Sequence, residues 1–119
     1  MTRRTERVNG LLRRELSEIL AQVMRDPRLP KLLSLTRVEV TGDLRQAQVF
    51  VSVMGGAEEK KSTLKTLQAA AGFLHRELKP RLALRYVPTL SFHLDESIEE
   101  GARVLQLMER LDSSSERRQ

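Results

Sequence analysis

The chain has 119 residues, of which 39% are hydrophobic and 31% charged, and this size and balance suit one globular domain with a modest core. It has no cysteine, which excludes disulfides, cysteine-ligated zinc and cysteine nucleophiles. No segment is apolar enough for a membrane span or a signal peptide, so a cytoplasmic location is expected. The net charge of +5 favours an acidic partner such as nucleic acid. Charge alone does not separate such a partner from a merely solvated basic surface.

The first predicted element is an amphipathic helix over residues 5–25. Its apolar residues recur at helical spacing, and they are Val8, Leu12, Leu16, Ile19, Leu20 and Val23. Its polar side carries six arginines against three glutamates. The segment "DPRLPKL" that follows should end the helix, because proline disfavours the helical conformation of the residue before it.

Two antiparallel strands are predicted next, over residues 35–41 and 47–53. In the second strand Ala47, Val49, Val51 and Val53 alternate with polar residues and Phe50, which is typical of a sheet with one buried face. In the first, Thr36 is expected to share a face with Val38 and Val40. The connector "TGDLRQ" contains the glycine and aspartate of a hairpin turn.

A second helix is predicted over about residues 58–78, with an apolar stripe formed by Leu64, Leu67, Ala71, Leu74 and Leu78. It contains "LQAAAGFLHREL", and a glycine inside a helix costs about 1 kcal/mol relative to alanine. Either Gly72 is an ordinary tolerated glycine, or the backbone bends or is closely approached there.

A third strand, residues 89–94, follows, and then a last helix with Ser97 and Glu100 as its capping box. The apolar side of this helix should contain Ile98, Ala102, Leu105, Met108 and Leu111. We expect one domain over residues 1–111, a disordered polar tail over 112–119, and an α+β fold with helices on one face of a small sheet.

Catalytic and metal chemistry finds no support in the sequence, and no cofactor is expected. His75 and His93 lie on different elements without a second ligand at metal spacing. The glycines after the second strand match neither phosphate-loop pattern, and no serine nucleophile motif is present. The protein is therefore predicted not to be an enzyme.

Nucleic-acid binding is the function that the basic residues favour. Aromatic residues are only 3% of the chain and three of the four have apolar neighbours, so they are expected in the core rather than on a stacking platform. Contacts should then come from cations on phosphates. The predicted RNA-binding residues are Arg3, Arg4, Arg7, Arg13, Arg14, Arg28, Arg76, Lys79, Arg81 and Arg85.

Several segments, in order and spacing, resemble the ribosome-binding factor A family. They are "RV" at 7–8, "DPRL" at 26–29, "VEVTGDLRQAQVFVSV" at 38–53, "LQAAAGF" at 67–73, "LRYVPTLSFHLDES" at 84–97 and Gly101. The resemblance implies a type II KH-like fold, α-β-β-α-α-β, in which a helix kink at Ala70, Ala71 and Gly72 replaces the G-x-x-G loop of other KH domains. Relatives often have a basic residue where this chain has His75, which leaves the role of that position open.

The function that the resemblance implies is non-catalytic. It comprises binding of immature small ribosomal subunits near the 5′-terminal helix of their rRNA, assistance to late maturation and 5′-end processing, and a role in the cold. An assembly GTPase is the implied partner for release, and the protein is expected to be a monomer without membrane contact. The alternative is a protein-interaction module that docks ribosomal proteins or another factor without touching RNA.

Overall fold

The computed structural model describes residues 2–23, 33–97 and 103–111. Several predictions lie outside these residues: the "DPRLPKL" stop with Arg28, the Glu100 half of the capping box, and the 112–119 tail. Within them, helices cover one face of a three-stranded sheet, so the predicted α+β, KH-like order is confirmed.

The first helix, α1, spans Arg3–Glu18 and continues as a π-helical turn over Ile19–Val23. Thr2 and Thr5 form a reciprocal capping box at its start, since each side-chain oxygen accepts the backbone N–H of the other residue. Its inward face is fully apolar apart from Thr5, as the spacing predicted, and buries Val8, Leu12, Leu16 and Ile19.

The sheet consists of β1 (Leu33–Val40), β2 (Gln46–Val53) and β3 (Thr89–Leu94) in that spatial order. β1 and β2 form the predicted antiparallel hairpin, and β3 runs parallel to β2 along its other side. The inward side chains of β2 are all buried, and Leu90 and Phe92 of β3 extend the same core.

The face prediction for Thr36 in β1 is wrong. The register between β1 and β2 shifts between Leu35 and Arg37, so Leu35 is buried and Thr36 leaves the alternation. The Thr36 hydroxyl lies 2.7 Å from an Asp95 carboxylate oxygen and 3.2 Å from the Phe50 carbonyl oxygen. A bulge of this kind is stabilised by contacts from distant residues, which local alternation does not reveal.

The predicted central helix is two helices, α2 (Ala57–Ala69) and α3 (Ala71–Leu78), followed by a 3₁₀ turn over Lys79–Arg81. The joint is Ala70, with φ −88° and ψ 0°, and this negative φ does not require glycine. Gly72 lies two residues further on, inside α3, and its backbone is not in the left-handed region. The break therefore occurs where the kink was expected, but Gly72 is not the residue that makes the turn.

Residues 103–111 are helical (α4), and all of their side chains are exposed. Leu105, Met108 and Leu111, predicted to form the apolar side of this helix, are among the exposed large hydrophobic residues. The described part of α4 thus leaves an apolar surface uncovered.

Candidate nucleic-acid interface

Five predicted RNA-binding arginines lie on α1, and all of them are exposed: Arg3, Arg4, Arg7, Arg13 and Arg14. Arg3, Arg7 and Arg14 share one outward stripe, because residues three, four or seven apart lie on the same side of a helix. Arg14 lies 3.5 Å from a Glu15 carboxylate oxygen, a contact of little energetic weight at such an exposed position. The outer side of α1 is therefore a basic surface directed to solvent.

A shallow cleft of about 250 Å³ separates α1 from the first half of β1. Its lining contains Arg13 and Arg14 beside Gly10 and Leu35. Gly10 is exposed, and a Cβ atom placed there would meet nothing within 4 Å. The middle of α1 thus combines two cations with bare backbone, a combination that lets a phosphate approach closely.

A second cleft, here called the arginine cleft, has a volume of about 320 Å³. It brings together Arg4 from α1, Arg45 from the β1–β2 hairpin, and Arg85 with Tyr86 from the segment between α3 and β3. Leu44 and Leu84 supply apolar walls. Among the described residues, no carboxylate lies in ion-pair range of these three arginines.

Asp43 is the one acidic residue in the lining of the arginine cleft. Its carboxylate accepts the Thr41 hydroxyl at 2.6 Å and the Arg45 backbone N–H at 3.1 Å. These hydrogen bonds, that from Thr41 first, lower the pKa of Asp43 below its usual value. The carboxylate thus stabilises the hairpin turn, in which Leu44 has a φ of 60°. With three arginines against one carboxylate, the cleft keeps an excess of positive charge.

The segment that carries Arg85 and Tyr86 is anchored at its end. The Nε2 atom of His75 lies 2.9 Å from the Val87 carbonyl oxygen, and because a carbonyl only accepts, that nitrogen carries the proton. Pro88 is fully buried, and the Thr89 backbone N–H donates to the Arg45 carbonyl at 2.8 Å. His75 therefore has a defined place in the structure: it ties α3 to the segment that presents the cleft.

The kink between α2 and α3 presents a different basic surface. Gly72, Arg76 and Lys79 are exposed at positions i, i+4 and i+7, so they form one stripe, here called the kink stripe. A Cβ atom on Gly72 would meet nothing within 4 Å. The helix backbone is thus accessible at Gly72, and the two cations Arg76 and Lys79 come after it in the chain. Ala70 and Ala71, directly before Gly72, are half-buried.

Arg81 is the predicted RNA-binding residue whose charge is already engaged. Its guanidinium lies 3.3 Å from a Glu15 oxygen and 3.2 Å from a Glu18 oxygen, and the side chain is only 29% exposed. This contact joins the turn after α3 to α1. The structure thus gives Arg81 a bridging contact between helices, and its part in RNA binding stays a prediction.

The aromatic residues divide differently from the expectation that three of the four serve the core. Phe92 is buried and Phe73 packs against the core, but Phe50 lies on the uncovered face of the sheet. There the Arg37 guanidinium lies 4.0 Å from its ring centroid and the His93 ring 5.4 Å away. Tyr86 is 66% exposed.

Among the cationic and aromatic residues of the arginine cleft, Arg45 and Tyr86 are absent from the predicted RNA-binding set. Arg45 lies in the hairpin connector, whose sequence predicted a turn, and none of the four aromatic residues, Tyr86 included, was predicted to bind RNA. The "RY" pair at 85–86, a cation beside an aromatic residue just before a strand, was the available signal. The sequence does not indicate that the hairpin lies beside this pair, since folding alone brings them together.

Within the described ranges, no three histidine, cysteine, aspartate or glutamate side chains are grouped to hold a metal ion. None of the helices in the same ranges is long and apolar enough to cross a membrane.

Comparison with known proteins gives consistent matches over most of the chain. The family model for ribosome-binding factor A matches residues 4–108. A ribosome-binding factor A of Acetivibrio thermocellus is 50% identical over 105 residues, which are 88% of this chain and 85% of that protein.

Solved structures match in the same way. An NMR structure of a Thermotoga maritima protein superimposes with a TM-score of 0.70 at 36% identity and covers 76% of this chain and 86% of its own. A homology model of the Thermus thermophilus ribosome binding factor A was fitted into a cryo-EM map of its complex with the 30S subunit. It superimposes with a TM-score of 0.61 at 30% identity, and the match covers 74% of this chain and 91% of that protein.

Proposed function

Because the chain belongs to the ribosome-binding factor A family, a family of non-enzymatic ribosome-binding factors, we propose that it binds the small ribosomal subunit through direct contact with rRNA. The partner particle follows from the Thermus thermophilus relative, which was fitted into a 30S complex. The contact with RNA follows from the arginine cleft.

The observation that carries this proposal is the convergence of Arg4, Arg45 and Arg85. They come from three separate parts of the chain, and Asp43 is the one carboxylate in the lining, so positive charge stays in excess. Bringing like charges together opposes folding unless an anion offsets their repulsion. A phosphate-rich partner supplies that anion, and arginine forms paired hydrogen bonds to phosphate oxygens.

The particle bound is an immature one, and the contact lies near the 5′-terminal helix of the rRNA and the neighbouring decoding region. Binding there assists late folding of the rRNA and 5′-end processing by separate nucleases, with most effect in the cold. The kink stripe is a further contact in this proposal, since exposed backbone at Gly72 lets RNA approach closely. The protein acts in the cytoplasm as a monomer, and an assembly GTPase promotes its release.

A second candidate function is docking to a ribosomal protein or another factor without RNA contact. The observation in its favour is the exposed apolar surface of α4, which includes Leu105, Met108 and Leu111. Surfaces of this kind on soluble proteins often mark protein contacts.

Co-sedimentation with purified immature and mature small subunits tests the proposal. Wild-type protein is expected with the immature particle, and the double charge reversal Arg76→Glu with Lys79→Glu is expected to weaken binding at least tenfold. The matched control is Lys61→Glu with Lys65→Glu, which reverses the charges of two exposed lysines of α2. Both double variants change the net charge by the same amount. The control should bind nearly as well as the wild type.

Equal losses in both double variants would mean that net charge alone, and not the kink stripe, governs binding. Unchanged binding of the Arg76 and Lys79 variant, combined with loss on Leu105→Ser and Met108→Ser substitution, would support the docking function instead. A salt titration separates the two chemistries, because phosphate contacts weaken steeply with salt and apolar contacts do not.

A further inference from the structure

The arginine cleft contains more than a phosphate site needs. Three arginines would suffice to hold phosphate groups, yet Leu44, Leu84 and Tyr86 line the same cavity. Tyr86 is 66% exposed, and the Arg85 guanidinium lies 5.6 Å from its ring centroid. An exposed aromatic ring with a cation close to it forms a surface on which unpaired bases stack.

The size of the cleft limits what can enter it. Its volume of about 320 Å³ lies at the lower end of the range of roughly 300–1,000 Å³ typical of small-molecule pockets. A single nucleotide is a ligand of this class. An RNA duplex is much wider, and would reach the arginines only through phosphates along its edge, while its bases stay stacked inside the helix and leave Tyr86 without a contact.

The cleft is also held in place before any ligand arrives. The His75 contact to the Val87 carbonyl fixes the segment after Tyr86, and the backbone bond from Thr89 to Arg45 joins that segment to the hairpin. The Asp43 bonds brace the turn that carries Leu44 and Arg45. A preorganised wall loses less conformational entropy on binding, which favours a specific pocket over an adaptable surface.

We propose that the arginine cleft binds one unpaired nucleotide of RNA, with the base stacked on Tyr86 and the flanking phosphates held by Arg4, Arg45 and Arg85. This inference rests on the RNA contact in the proposed function and adds the class of element recognised. The cleft selects a bulged or single-stranded nucleotide in preference to continuous duplex.

Two synthetic RNA hairpins that differ only in one bulged nucleotide provide the test, with 2-aminopurine as the bulged base. Wild-type protein is expected to bind the bulged hairpin about tenfold more tightly than the perfect duplex, in line with the stacking of one base on an aromatic side chain. Stacking on Tyr86 should also change the fluorescence of the 2-aminopurine on binding.

The variant Tyr86→Ala is expected to bind both hairpins equally, at the wild-type affinity for the duplex. Tyr86→Phe keeps the ring and should keep the preference. Because Tyr86 is exposed, neither substitution should disturb the fold, and circular dichroism checks this. Arg45→Gln with Arg85→Gln should weaken binding of both hairpins.

Each result bears on a different statement. Wild-type binding without preference for the bulge, or a preference that survives Tyr86→Ala, overturns the inference and leaves the proposed RNA contact standing. Binding to immature subunits without binding to either hairpin overturns the inference too, and assigns the cleft to a protein partner. Loss of preference on Tyr86→Ala alone supports the inference.

Discussion

Gly72 is a residue where helix stability and the proposed interface have opposite requirements. It lies inside α3, its backbone is helical, and nothing lies within 4 Å of the position of a Cβ atom. The fold therefore does not need glycine there, since the turn is made by Ala70. Either Gly72 is an ordinary tolerated glycine, or a partner's backbone approaches closely at this position.

Gly72→Ala separates these two alternatives. Alanine should stabilise the protein by about 0.5–1 kcal/mol, because glycine is the poorer helix former and no neighbour is displaced. Binding to immature small subunits should weaken, since the added methyl group lies on the kink stripe. Urea denaturation measures the first effect and co-sedimentation the second. A variant that is more stable and binds as well as the wild type would show that Gly72 is merely tolerated.

Asp95 is the residue whose ionisation is most coupled to the fold. The Ser97 hydroxyl, then the Thr36 hydroxyl and the Ser97 backbone N–H, stabilise its carboxylate and lower its pKa from 3.8 to about 2. The ionised form is thus favoured in the folded state. It also connects the end of β3 to the bulge of β1.

The contribution of Asp95 should be complete above pH 3.8, the ordinary value, and disappear as the pH falls towards about 2. Asp95→Asn removes it at every pH. We expect the difference in unfolding free energy between wild type and Asp95→Asn to be largest at neutral pH and to shrink in acid. Urea melts at a series of pH values measure it, and a difference independent of pH would contradict the assignment.

At the scale of elements, α1 and the inward faces of β2 and β3 could be predicted, because hydrophobic spacing alone determines which side is buried. The bulge at Thr36 could not, since its partner Asp95 is distant in the sequence. The break at Ala70 could not be located by composition either. Its conformation suits alanine, and only the resemblance to a family with a kink pointed to that region.

Arg81 shows that a basic residue can join two elements through ion pairs. Its contacts to Glu15 and Glu18 join the turn after α3 to α1 across a partly buried surface. Arg81→Ala should therefore lower the unfolding free energy by up to about 1 kcal/mol, the upper end of the range for exposed ion pairs. If this bridge is the only role of Arg81, the same substitution should leave binding to the small subunit nearly unchanged.

A double-mutant cycle separates the ion pair from other effects of the substitution. Glu15→Gln with Glu18→Gln removes the partners, and Arg81→Ala in that background should then cost much less than in the wild type. Urea denaturation supplies all four values. A large loss of subunit binding with Arg81→Ala, at unchanged stability, would instead place Arg81 in the RNA contact.

For the whole molecule, the sequence predicted which residues carry charge but not which charges would meet. Arg4 and Arg85 were among the predicted residues, yet their proximity to Arg45 depends on the hairpin lying beside the segment before β3. The kink stripe was easier to predict, because Arg76 in α3 and Lys79 at the C-terminal cap of α3 are only three residues apart in the sequence. Composite sites made by loops from separate elements require the tertiary structure.

The two basic surfaces make separate contributions to the salt dependence of RNA binding. Each neutralised phosphate adds about 0.7 to the slope of log K against log salt for single strands. If each side chain neutralises one phosphate, substitution of Arg4, Arg45 and Arg85 by glutamine should reduce the slope by about 2.1, and substitution of Arg76 and Lys79 should reduce it by about 1.4.

Glutamine at all five positions tests whether the surfaces act together. If the arginine cleft and the kink stripe bind different phosphates of one RNA, the two reductions in slope should add, to about 3.5. Filter binding at several salt concentrations, with an RNA that spans a bulge and its flanking helix, measures all three slopes. A combined reduction no larger than that of the cleft alone would mean that the kink stripe does not reach the RNA while the cleft is occupied. Additive slopes would show that one RNA is held at two places, as expected for a factor that holds a junction between paired and unpaired rRNA.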